Sequence, residues 1–250
     1  MSLPKIRLER CARESGGLWR LDGDQARHLV RSLRSYNGAS VEGLLGDDGG
    51  RRILMRLERR AEEYFLREIS TESEPRDDLE ITLLVGLLKS DQFDAVLRSA
   101  SELGVNSILP VVCERSVPRV AASDIPKKIA RWQKILYEGT TVSGSVFPPH
   151  ISPPVKFGNI NWEALPEARY AAVISPDSRP ISSIVCGGGA LVFAVGPDGD
   201  WSERERDSLV SNGFIPLTLG GRIMRASTAA MAGVAWFRFN GPGLIPAQRT

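Results

Sequence analysis

Leu79-Glu-Ile-Thr-Leu-Leu-Val-Gly-Leu-Leu88, followed at once by Lys89-Ser-Asp91, is the stretch that decides the fold. A nearly continuous apolar run of this length suits a strand covered on both faces, as in a parallel sheet. Ser90-Asp91 then reads as the cap of a helix through Leu103, Gly104 ends it, and Asn106 to Cys113 reads as the next strand. Further along, a helix begins near Ser123 to Pro126, with Ile129, Trp132, Ile135 and Leu136 on one face. Strands follow at Ala171 to Ile174 and Ala190 to Val195. A helix from Ser202 to Asn212, a strand at Phe214 to Leu217 and a helix from about Arg225 to Phe239 complete the chain. Strands alternating with helices predict an α/β fold with a mostly parallel sheet.

The N-terminal 70 residues follow a different period. Trp19 to Asp22, Ala39 to Leu45 and Arg52 to Leu57 alternate as strands do, with Gly16-Gly17, Asn37-Gly38 and Asp47-Asp-Gly-Gly50 as turns. Between them Asp24 to Arg34 reads as one helix, capped by Asp24, with Ala26, Leu29, Val30 and Leu33 on one face. The polar, acidic segment Ser70 to Asp78, with Pro75, has the composition of a linker. The expected division is therefore a small β-rich domain over residues 1–72 and an α/β domain over 77–242.

Composition narrows the function classes. The 250 residues carry 32 basic and 30 acidic side chains, a net charge of +2 that names no partner. At 42% hydrophobic and 25% charged, the chain has the balance of a folded globular protein. Apolar runs fall well short of the roughly 20 residues that span a bilayer. A charged N-terminus lacks the apolar core of a secretory signal, so a cytoplasmic location is expected. Three scattered cysteines, Cys11, Cys113 and Cys186, fit reduced thiols better than a disulfide framework or a metal site. Arginine dominates the basic residues, 26 against six lysines, and residues 1–70 hold an excess of three positive charges. Arginine forks phosphates and stacks on bases, so this segment suits an RNA-facing surface, although composition alone equally describes an ordinary solvated surface.

Ligands of open α/β sheets bind beyond the carboxyl ends of the strands. Two glycine-rich loops fall there: Gly196-Pro-Asp-Gly-Asp200 and Leu219-Gly-Gly-Arg-Ile-Met-Arg225. Neither has the spacing of a dinucleotide or nucleoside-triphosphate loop. No HExxH, CxxC pair or GxSxG occurs, which disfavours metal and acyl-transfer chemistry.

Six motifs in order carry a resemblance: Leu87-Leu-Lys-Ser-Asp-Gln-Phe-Asp94, Ser101-Glu-Leu-Gly-Val105, Glu114-Arg-Ser-Val117, Arg131-Trp-Gln-Lys-Ile135, Gly196-Pro-Asp-Gly199, and Leu219 to Arg225 with Ser227-Thr-Ala-Ala230. Together they resemble the RsmE family of small-subunit ribosomal RNA uridine-N3 methyltransferases over nearly the whole chain. The resemblance implies a SPOUT α/β domain with a C-terminal trefoil knot, preceded by a PUA-like RNA-binding domain. It implies a homodimer acting on 16S ribosomal RNA or the small ribosomal subunit, with S-adenosyl-L-methionine as cofactor and no metal or membrane. Carried over, the cofactor contacts are Gly196, Pro197, Asp198, Gly199, Leu219, Gly220, Ile223 and Met224. Arg225 and Thr228 are the candidate catalytic residues, and His28, Arg31, Arg34, Arg115 and Arg222 the candidate RNA contacts.

This sequence departs from the family pattern in places. Thr141-Val-Ser-Gly-Ser145 stands where many members have E-Q-S-G-R, Arg98-Ser99 replaces Gln-Lys, and Asp200 replaces a glycine. Two alternatives therefore stay beside the leading reading: a knotted RNA- or ribosome-binding protein that has lost catalysis, and the same fold methylating another RNA base.

Overall fold

The structure is a computed structural model that describes residues 3–32, 36–46, 49–117 and 120–241. It divides into two compact units: residues up to Arg76 together with Thr140–Pro148, and Asp77–Gly139 together with the chain from Pro149 onward.

The first unit is built on six strands: β1 (Lys5–Arg7), β2 (Ala12–Glu14), β3 (Leu18–Arg20), β4 (Ser40–Leu45), β5 (Arg51–Arg60) and β6 (Glu63–Ser73). They form one sheet in the order β1-β4-β5-β6-β3-β2. Alternation along β5 turns Ile53, Met55 and Leu57 into a core shared with Leu8, Leu29, Val41 and Leu66. The segment read as a linker begins inside this sheet. β6 runs to Ser73, with Thr71 paired to Ile53 and Ser73 to Arg51, because a ladder of main-chain bonds outweighs polar composition.

The helix expected over residues 24–34 starts earlier, and residues 33 and 34 of that span lie outside the described residues. Asp22, not Asp24, is its cap, in a reciprocal capping box with Gln25. Helix α1 covers Gly23–Arg27, and a π-helical turn continues over His28–Ser32. Gln25 is buried and donates from Nε2 to the Arg7 carbonyl at 2.9 Å, a polar tie that no apolar periodicity reveals. The inclusion of Thr140–Pro148 rests on two arginines distant in the sequence. The buried Arg7 guanidinium donates to the carbonyls of Ser145 and Val146 at 3.0 and 2.9 Å, and that of Arg52 donates to the Gly144 carbonyl.

The second unit holds an entirely parallel sheet. Its strands are β7 (Leu79–Gly86), β8 (Ser107–Val112), the two-residue β9 (His150–Ile151) and β10 (Val155–Lys156), β11 (Ala168–Ala172), the short β12 (Arg179–Pro180), β13 (Gly189–Val195) and β14 (Ile215–Thr218). Their order is β10-β8-β7-β13-β11-β14-β12, with β9 also pairing β8. β13 and β14 thus lie on either side of β11.

Both faces are covered, as the apolar runs require. On one side Ile81, Leu83, Val85, Leu191 and Phe193 meet residues of α2 (Ser90–Glu102), α3 (Ile125–Ser143) and α5 (Ala226–Asn240). On the other Leu84, Val192 and Ala194 meet Trp201, Phe214 and Leu209 of α4 (Glu203–Ser211). Gly233 lets α5 approach the sheet: a Cβ there would lie 2.2 Å from the Phe193 ring. Among the described residues no helix is long and apolar enough to cross a membrane.

Arg238, buried near the end of α5, ties this unit together. It donates to the carbonyls of Leu79 and Leu103 at 3.2 Å, to that of Gly104, and to Asp77 at 3.0 Å. Arg238→Ala removes the donor from these carbonyls, of which that of Leu79 is bonded in the interior, and is expected to cost about 3 kcal/mol, read by urea denaturation. A loss below about 0.5 kcal/mol, the level of an ordinary surface substitution, contradicts that role.

Burial pushes the Cys113 thiol up to about 12, helped by the nearby Glu205 carboxylate. Between roughly pH 9 and 12 the unfolded thiol has lost its proton while the folded one keeps it. Stability therefore falls as pH rises through that window. Cys113→Ala is expected to flatten the fall in denaturation curves taken from pH 9 to 11, and parallel curves would refute it.

Candidate active site

Because the sheet is parallel, β11, β13 and β14 end side by side at one edge. Their following loops, together with the start of α5, enclose a cavity of about 450 Å³. That volume lies within the usual range for a small-molecule site. Val195, Leu217, Ala226 and Ala229 contribute its apolar lining, and Asp198, Asp200 and Arg222 its charged residues.

Each wall is held by main-chain chemistry. The loop after β13 turns through an Asp200 N–H to Pro197 carbonyl bond of 2.9 Å. Asp200 adopts φ 59° and its Oδ1 accepts from the Trp201 N–H at 2.8 Å, the local bond by which an aspartate tolerates a left-handed backbone. Trp201, fully buried, donates from Nε1 to the Ala172 carbonyl at 3.1 Å and so ties this loop to the end of β11. Val173 donates to the Leu217 carbonyl at 3.0 Å, joining the β11 and β14 ends. After β14 the Thr218 hydroxyl donates to the Gly220 carbonyl at 3.1 Å. Gly220 has φ +133°, a conformation that side chains rarely adopt.

Helix α5 opens on the cavity without a side-chain cap. Arg225 is its N-cap residue and makes no capping bond, so neither Ser227 nor Thr228 caps the helix. The cavity thus borders a helix start whose first N–H groups have no side-chain acceptor among the described residues, a setting favourable to negative charge.

The cavity brings together most of the residues singled out in the sequence. Gly196, Pro197, Asp198, Leu219, Gly220, Ile223 and Met224 line it, and so does Arg222, which had been placed among the RNA contacts. Gly199 does not line it: its Cα faces Arg115, whose Cβ would lie 3.0 Å from a Cβ added there. Arg225 and Thr228 are exposed at the start of α5, next to lining residues but outside the lining itself. His28 and Arg31 are exposed in the first unit, while Arg34 lies outside the described residues. Sequence reasoning missed the wall from Val173 to Pro176, because β11 ends at Ala172 and not at Ile174. The available signal was Ser175-Pro176-Asp177, a turn composition directly after an apolar strand.

The donor set fits S-adenosylmethionine. Two carboxylates suit a ligand carrying a sulfonium and an ammonium, the apolar lining suits an adenine ring, and main-chain groups at glycine-rich turns are available to its polar edges.

The family described as RNA methyltransferase domain matches residues 75–238. The ribosomal RNA small subunit methyltransferase E of Synechocystis sp. is 28% identical over 216 residues, covering 84% of this chain and 69% of that protein. A crystal structure of a ribosomal RNA small subunit methyltransferase E from Neisseria gonorrhoeae, bound to S-adenosyl methionine, superposes with a TM-score of 0.82 and 28% identity. It covers 95% of this chain and 98% of that one. A protein from Legionella pneumophila solved with bound SAM shares the fold at a TM-score of 0.86 and 23% identity, over 96% of this chain and 99% of that one.

One contact sets the approach of the Gly196 turn to the sheet. A Cβ on Gly86, at the end of β7, would lie 2.5 Å from the Pro197 nitrogen, which is backbone and cannot rotate away. Gly86→Ala is expected to displace that turn and destabilise the protein by about 1–3 kcal/mol in thermal or denaturant unfolding. An unchanged stability would show that the turn is free to move.

Proposed function

Because the chain belongs to the RNA methyltransferase domain family, we propose that it transfers a methyl group from S-adenosylmethionine to N3 of a uridine in 16S ribosomal RNA. The observation that carries this reading is the cavity at the ends of β11, β13 and β14, where both glycine-rich loops and the start of α5 converge. The names and bound cofactor of the related enzymes support the substrate and the methyl donor.

S-adenosylmethionine, when bound, supplies an electrophilic methyl group on a sulfonium. The chain's own contribution is position and electrostatics. Main-chain groups of Gly196 to Asp198 and of Leu219 to Met224 would hold the donor, with Asp198 and Asp200 facing its positive charge. Arg225 stands at the start of α5, where its guanidinium holds the target nucleotide through a phosphate or a uracil carbonyl. Thr228, exposed in the first turn of α5, adds a hydroxyl to that contact. N3 of uridine must lose its proton as the bond to carbon forms, and solvent accepts it.

The same reading extends to the architecture. Residues 77–242 form a SPOUT domain whose last segment is threaded as a trefoil knot, and the flanking of β11 by β13 and β14 supports it. Residues 1–72 act as a PUA-like RNA-binding domain, with exposed His28 and Arg31 as RNA contacts, Arg34 as a further one outside the described residues, and Arg222 at the cavity. The chain works in the cytoplasm as a homodimer. The outward side of α5, with half-buried Ala232 and Ala235 and exposed Phe239, supplies an apolar helix face for a second copy.

Titration calorimetry with S-adenosylmethionine, followed by methyl transfer to unmodified small ribosomal subunits, tests this reading. We expect saturable binding and 3-methyluridine as product by mass spectrometry. Arg225→Ala is expected to lower the transfer rate on the order of 100-fold while donor affinity stays within about twofold. A folded protein that binds no donor contradicts the reading in favour of an RNA-binding protein without catalysis. A different methylated base would move the assignment to another RNA target.

A further inference from the structure

The Gly196 to Trp201 loop has an inner side that lines the cavity and an outer side that does not. On the outer side stands Arg115, in the turn that follows β8. Its Nη1 donates to the Gly199 carbonyl at 3.1 Å and reaches the Trp201 carbonyl at 3.5 Å. The turn that carries it is itself fixed. The Cys113 N–H donates to the Ser116 hydroxyl at 3.0 Å, and the Ser116 N–H returns to the Cys113 carbonyl at 3.1 Å. The buried Glu205 carboxylate accepts from the Glu114 N–H at 2.8 Å through one oxygen and from the Ser202 N–H at 2.9 Å through the other. Two side chains of opposite charge therefore fasten one turn to both ends of the segment from Gly199 to Glu205.

The loop needs such fastening. It contains two glycines and a left-handed aspartate, so its free state has much backbone entropy to lose. Its inner side is where Pro197, Asp198 and Asp200 meet the cavity. A clamp on the carbonyls of residues 199 and 201 brackets Asp200 and constrains how its carboxylate is presented. Arg115 is exposed, so the carbonyls it releases on removal can turn to water. The effect of losing it is loosening of this loop and not collapse of the unit.

We propose that Arg115 is a positioning residue for the methyl-donor site, holding the Gly196 to Trp201 loop from outside in the conformation that presents Asp198 and Asp200 to the cavity. The inference rests on the reading of that cavity as the donor site. It gives Arg115 a task different from the RNA contact expected from the sequence.

The test compares the wild type, Arg115→Ala and Arg115→Lys. Amide hydrogen exchange on the unliganded proteins reports the loop directly, and calorimetry with S-adenosylmethionine reports its consequence. Binding of small ribosomal subunits across a salt series reports any RNA contact. We expect faster exchange confined to peptides over residues 196–202 in Arg115→Ala, and donor binding weakened about tenfold. Arg115→Lys, whose ammonium can reach one carbonyl as a point charge, should fall between the two. Subunit affinity and its salt slope should stay within twofold. Unchanged exchange over 196–202 overturns the proposal, as does unchanged donor affinity accompanied by weaker subunit binding. Exchange that rises throughout the second unit in both variants also overturns it, by making Arg115 a general stabiliser. If the wild type itself binds no donor, the proposed function fails, and the exchange comparison still decides whether Arg115 holds the loop.

Discussion

The parallel pairing of β11 with β13 on one side and β14 on the other is the constraint on which the rest depends. Parallel strands run the same way, so their carboxyl ends and the loops that leave them share one edge. Residues as far apart in the chain as Ala172 and Ala229 are thereby brought around one cavity. An antiparallel arrangement of the same strands would send one of these loops to the opposite edge.

Pairing alone leaves three loops close together but not ordered. Order comes from a small set of polar bonds made by residues that are apolar or buried in most of their surface. Trp201 illustrates this: its ring fills the core beneath the sheet while its single N–H ties the β13 loop to β11. Glu205 caps α4 and also receives the Glu114 N–H, so one buried carboxylate serves a helix start and a distant turn. Such bonds are worth more inside the protein than at its surface, and each is costly to leave half made.

Much of the second unit was legible in the sequence because its physics is short-ranged and repetitive. The runs at Leu79 to Leu88 and Ala190 to Val195 are apolar on both faces, and the structure covers both faces. Seven of the eight donor contacts implied by the family resemblance line the cavity; glycine-rich loops after buried strands pointed to the place, and the resemblance supplied the individual residues. What escaped was set by partners distant in the chain. The polar end of β6 pairs with β5, and Thr140–Pro148 joins the first unit through Arg7 and Arg52. Composition carries no trace of either. Gly199 looked like its neighbours in the motif, yet it faces Arg115, and only the fold tells the two sides of a loop apart.

The central claim is that the edge formed by β11, β13 and β14 holds the methyl donor. A crystal structure of this protein grown with S-adenosylmethionine tests it most directly. We expect density for the donor between the Gly196 to Asp200 loop and the Leu219 to Met224 loop, with its charged groups toward Asp198 or Asp200. Density anywhere else, or an empty cavity at saturating donor, would contradict it.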